Sequence, residues 1–158
     1  MNDIVSTPPA PASPEGSMVT TGAWWPDVDV NDIRQRVNLR GELPHARLVD
    51  AIEWGVIHVT TELTRWASAA IVAGANSLTD VDPLNRVNGA PLLERLFIGA
   101  VASTAAARLI ERHPDITATR EGSDRAEQRY ELAAAFRRDA THAIRTMMGR
   151  SGTTVELI

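Results

Sequence analysis

The stretch LFIGAVASTAAA, Leu96 to Ala107, decides the fold. It lies between Arg95 and Arg108 and carries no charged side chain. Its alanines favour helix over strand, and a helix that is apolar nearly all round belongs at the centre of a protein. The pattern predicts a helix from about Pro91 to Arg112, with Pro114 just past its end, where a proline commonly sits.

Two more long helices are expected to cover this one. Leu48, Ile52, Val56, Val59, Leu63, Trp66 and Ala70 recur at steps of three or four, forming one apolar face of a helix from about Pro44 to Gly74. Tyr130, Ala133, Phe136, Ala140, Ile144 and Met147 do the same for a helix from about Asp124 to Met148, capped by Ser123 and ended by Gly149. The other side of this last helix is rich in Arg and Glu and reads as solvated. A short helix from about Val30 to Val37 comes first, with Asp29 as its N-cap. The polar connection from Ala75 to Ala90 contains Pro83 and Asn88-Gly89. It is long for a structureless loop, so it is expected to carry contacts or a short turn of helix. The fold class is therefore all-α: three long helices plus a short N-terminal helix in a bundle, over residues 23–149.

The two ends read differently. Residues 1–22 are rich in Pro, Ser, Thr and Ala, and bury too little apolar surface to offset their ordering entropy, so they are expected to form a disordered arm. Residues 150–158 are expected to be an extended C-terminal tail. Its Thr153-Thr154-Val155-Glu156-Leu157-Ile158 is too short to fold alone and too apolar to serve as a solubilising tail. Such a segment fits a partner's sheet edge or groove. Trp24-Trp25-Pro26 supports two readings, an anchor that pins the arm to the bundle or an intersubunit contact.

Composition removes several function classes. The chain has 158 residues, no cysteine and no lysine, so disulfides, thiolate metal sites and lysine chemistry are absent. Net charge is −4 with no basic stripe, unlike a nucleic-acid binder. The first residues lack the basic start of a signal peptide. The longest uncharged run, Trp66 to Thr79, falls short of the roughly 20 residues that span a bilayer. The protein is expected to be soluble, with no membrane partner.

The search for chemistry finds no catalytic residue, metal site or cofactor. Asp27-Val28-Asp29-Val30-Asn31 starts like a calcium loop, but Asp32 stands where the turn needs Gly and Asn38 where a bidentate Glu is needed. It reads better as a capped helix start. His45, His58, His113 and His142 have no zinc-ligand spacing, although His58 and Glu62 share a helix face. Arg137-Arg138-Asp139 echoes a kinase catalytic loop only superficially, because it lies within a helix and lacks the accompanying lysine and Gly-rich loop.

Three segments resemble a known family. WWPDVDVNDIRQRVNLRGELPHARLVDAI (Trp24 to Ile52), IERHPDITATREGSDRAEQ (Ile110 to Gln128) and RRDATHAIRTMMGRSGTTVELI (Arg137 to Ile158) stand in the order found in the phage head completion/stabilisation proteins, the GPL family of temperate contractile-tailed phages. The resemblance covers about residues 23–158 and leaves the N-terminal arm without an inherited role. It implies a virion protein that binds the portal after DNA packaging, stabilises the filled head and forms the neck for tail attachment. It also implies a ring of subunits, dodecameric on the portal, with DNA passing through the channel without specific binding. Partner contacts are expected at Trp24, Trp25, Pro26 and Asp27, and at Thr153, Thr154, Val155, Glu156, Leu157 and Ile158. Portal protein and tail-terminator or other tail proteins are the implied partners. The competing readings are a tail-terminator or other tail-side neck protein and, in a different class, a helical DNA-binding regulator.

Overall fold

The computed structural model describes residues 13–38, 43–112 and 123–149. Its elements run β1 (Met18–Val19), β2 (Val28–Asp29), α1 (Val30–Val37), α2 (His45–Glu62), α3 (Thr64–Val72), a 3-10 turn (Thr79–Val81), β3 (Arg86–Val87), β4 (Ala90–Pro91), α4 (Leu92–Arg112) and α5 (Ser123–Met147). The chain is mostly helical, with two small antiparallel hairpins that the all-α reading lacked.

Helix α4 is central, as its apolar run requires. It packs against both α2 and α5. Phe97, Ala100, Val101, Ala105, Ala106 and Leu109 have no exposed surface. Small side chains let the neighbours approach closely. At Gly55 of α2, a β-carbon would stand 2.9 Å from the Val101 carbonyl oxygen.

The single helix expected from Pro44 to Gly74 is two helices, broken at Leu63. Around the break the hydroxyls of Thr60, Thr61 and Thr64 donate to the carbonyls four residues back, at 2.8, 2.7 and 2.9 Å. Such back-bonding bends helices. The expected apolar face still holds, with Leu48, Ile52, Val59 and Leu63 fully buried. Gly74, at φ +102°, ends the path.

The arm expected through residue 22 is folded from Ser13 onward. Met18 pairs with Asp29 and Val19 with Val28. The Arg34 guanidinium donates to the buried Ser13 hydroxyl at 2.9 Å and to the Leu43 carbonyl at 2.8 Å. Burial lowers the Arg34 pKa from its ordinary value. Asn31 adds a bond from its side-chain amide to the Pro14 carbonyl. Composition alone hid this, because Arg34 and Asn31 supply partners from outside the segment. Residues 1–12 of the arm and the tail at 150–158 lie outside the described residues.

Asp29 caps α1 as expected, accepting from the N–H groups of Asn31 and Asp32 at 2.7 and 3.2 Å. Asp29→Ala is expected to cost about 1 kcal/mol of unfolding free energy, measured by urea denaturation.

The connection from Ala75 to Ala90 carries the 3-10 turn and the start of the second hairpin. Asn88 and Gly89 both have positive φ, 49° and 75°, which is the geometry of a type I′ turn between β3 and β4. In α5, Ala133, Ala140, Ile144 and Met147 are buried and Phe136 is partly buried. Tyr130 departs from the expected apolar side and is 74% exposed. It sits beside Ile110 and Glu111, at the last turn of α4, where the supporting helix ends.

Candidate interaction surfaces

Trp24 and Trp25 are built into the protein as an aromatic ladder. Trp25 stacks on Phe97 at 5.1 Å between ring centroids, and Trp24 meets Trp25 edge-on at 4.6 Å and Trp66 at 6.1 Å. The Trp24 indole N–H donates to the Ala75 carbonyl at 3.1 Å, and its own carbonyl accepts from the Leu78 N–H. These are the contacts of an anchor joining the first hairpin, α3 and α4. Asp27 closes the turn before β2, accepting from the Thr21 N–H at 2.7 Å. Both indoles and Pro26 stay half-buried, so each keeps an open edge.

The expected contact residues of the tail, Thr153 to Ile158, lie outside the described residues. The structure brings forward other apolar side chains that the sequence reading passed over. Met18, Trp54 and Ile57 are about half exposed on the outer side of α2 and its hairpin. Met18 and Ile57 line a shallow groove with Val49, Glu53 and Val56. The available signal was position: Trp54 and Ile57 fall off the Leu48–Ile52–Val59 face, so a large apolar residue there has no core to enter.

A second groove runs over α4 between α2 and α5, lined by Trp54, His58, Arg108, Glu111, Arg112 and Arg137, among others. Arg108 lies 4.7 Å from the Trp54 ring centre and pairs with Asp50 at 3.3 Å, while Arg137 pairs with Glu111 at 2.7 Å. On the flank of α5 beyond it, Arg137, Arg138, Thr141, His142 and Arg145 surround a further hollow. Arg137-Arg138-Asp139 thus lies on an exposed helix surface. Asp27 to Asn31 forms a strand leading into a capped helix. Among the described residues, no three His, Asp or Glu side chains are grouped so as to hold a metal ion, and no helix is long and apolar enough to cross a membrane.

Comparison with known proteins gives this surface a context. The chain is 27% identical over 169 aligned positions to the head completion/stabilization protein of Escherichia phage P2, an alignment covering 100% of this chain and 99% of that protein. No solved structure matches. The family model described as phage head completion protein (GPL) matches residues 19–158, and the chain belongs to that family.

Proposed function

We propose that this head completion protein is a structural, non-catalytic neck subunit of the virion. It binds the portal once DNA is packaged, stabilises the filled head and offers the surface to which the tail attaches. The observation that carries this reading is the extent of the likeness. A relative named for head completion and stabilisation aligns with all of this chain, so the whole fold is shared rather than one motif. The half-exposed Met18, Trp54 and Ile57 support a role in binding other proteins.

The subunits form a ring on the portal, twelve to match it, through whose channel DNA passes. At −4 per chain such a ring is strongly acidic and repels rather than grips the duplex. No cofactor enters the reading. Partner contacts come from the open edges of Trp24, Trp25, Pro26 and Asp27 and from the tail, Thr153 to Ile158, whose β-branched and apolar residues suit a sheet edge or groove of the portal.

Deleting residues 153–158 is expected to leave the helical content and melting temperature unchanged and to abolish portal binding, read by co-sedimentation with purified portal. Unchanged binding removes the tail from the mechanism. Capture by tail protein but not by portal moves the protein to the tail side of the neck.

A further inference from the structure

Two flanks of the described residues differ in charge. From Ser13 to Ile33 there are four carboxylates, Glu15, Asp27, Asp29 and Asp32, and no basic residue; Arg36 just beyond pairs with Asp32 at 2.7 Å. In the first hairpin, Val19 and Val28 point inward, so their alternating neighbours Met18 and Asp29 share the outer face. Next to it, the exposed Glu53 of α2 lines the groove with Met18 and Ile57. Met18 and Ile57 thus form an apolar centre bordered by Asp29 and Glu53, a layout suited to a protein interface.

The outer side of α5 is its counterpart. Arg137, Arg138, His142 and Arg145 surround a hollow there, with Asp139 beside them, the exposed Glu131 two turns before Arg138, and Glu111 paired with Arg137. Arg138 and Arg145 have no ion-pair or hydrogen-bond partner among the described residues. Arg145 lies in the last turn of α5, where the helix dipole favours a cation. Arg138 lies about two turns earlier, beyond the reach of that effect.

The first hairpin packs on α2, α2 on α4, and α4 on α5. The acidic and basic surfaces are therefore borne by different elements, the hairpin with α2 on one hand and α5 on the other. We infer that the basic flank of α5 docks onto the acidic hairpin flank of a second copy of this chain. Such a contact joins two different surfaces and repeats head to tail, and it closes into a ring when the rotation between copies permits. The inference rests on the ring proposed above and assigns its subunit interface.

The test uses three full-length proteins, wild type, R138E/R145E and E15R/E53R, followed by sedimentation velocity with melting temperature as the folding control. Wild type is expected to associate at about 50 mM salt and to dissociate at about 500 mM, because surface charges are screened. Each variant alone is expected to lose roughly tenfold or more in association constant, and an equimolar mixture to recover a 1:1 complex. Association of wild type that neither variant weakens, or a mixture no stronger than its parts, overturns the inference. So does wild type that stays monomeric both free and on the portal. A duplex DNA probe lost by R138E/R145E, with self-association unchanged, also overturns it and makes the basic flank a phosphate surface. Absence of all portal capture defeats the neck reading instead, and is read separately.

Discussion

Phe97→Ala is expected to lower the free energy of unfolding by about 3–5 kcal/mol. Phe97 has no exposed surface, so removing its ring leaves a cavity in the middle of α4. The effect travels further because Trp25 stacks on that ring, with planes inclined by 19°. Trp25 in turn supports Trp24, which holds Trp66 of α3 and the Ala75 carbonyl. Three stretches of chain thus share one aromatic contact. Aromatic pairs contribute about 0.5–1.5 kcal/mol beyond their buried area. The Phe97→Ala and Trp25→Ala losses should therefore be non-additive by about that amount, since each variant already breaks the stack. Urea denaturation followed by far-ultraviolet circular dichroism measures all three variants. A loss below about 1 kcal/mol for Phe97→Ala contradicts the picture of a tightly filled core.

Gly55 and Gly99 are expected to respond to alanine with opposite signs. Both sit inside helices, where alanine is intrinsically better by about 1 kcal/mol. At Gly99 a β-carbon meets nothing within 4 Å, so the propensity gain survives and Gly99→Ala stabilises by about 0.5–1 kcal/mol. At Gly55 the same atom meets the Val101 carbonyl oxygen at 2.9 Å and a Val101 methyl at 3.3 Å. The carbonyl belongs to the backbone of α4 and cannot rotate away, so α2 and α4 must separate. Overpacking of this kind costs about 1–3 kcal/mol and outweighs the propensity gain. Gly55→Leu should cost about 4 kcal/mol or more. Melting curves of the three variants decide the matter. Stabilisation by Gly55→Ala would mean that the two helices are not in close contact there.

The sequence revealed most where one pattern had one physical solution. An uncharged run from Leu96 to Ala107 leaves little choice but a central helix, and Asp29 before Val30 is a cap with little competition. It was less informative where the deciding partner is distant. Nothing local indicates that Arg34 will hold Ser13, so a Pro- and Ser-rich segment reads as disordered although its last ten residues fold. The break at Leu63 was hidden because the apolar periodicity passes through it unchanged. Asn88-Gly89 is a hairpin turn by its φ angles, but the flanking strands are two residues each and too short to show alternation. For function, the ordered family-like segments were legible from the start. The flanks of opposite charge were not, because the carboxylates of the first hairpin and the arginines of α5 are more than a hundred residues apart and share no local pattern.

The placement of the four tryptophans makes the protein its own optical reporter. Trp24, Trp25 and Trp66 cluster against the core, while Trp54 stands 47% exposed on α2 beneath the Arg108 guanidinium. Iodide should quench the emission of Trp54 more strongly than that of the three half-buried rings, because Trp54 is the more exposed. Occupation of the outer face of α2 would then register as lost quenching, and unfolding as a red shift of the trio, so the two events are separable in one cuvette without a label.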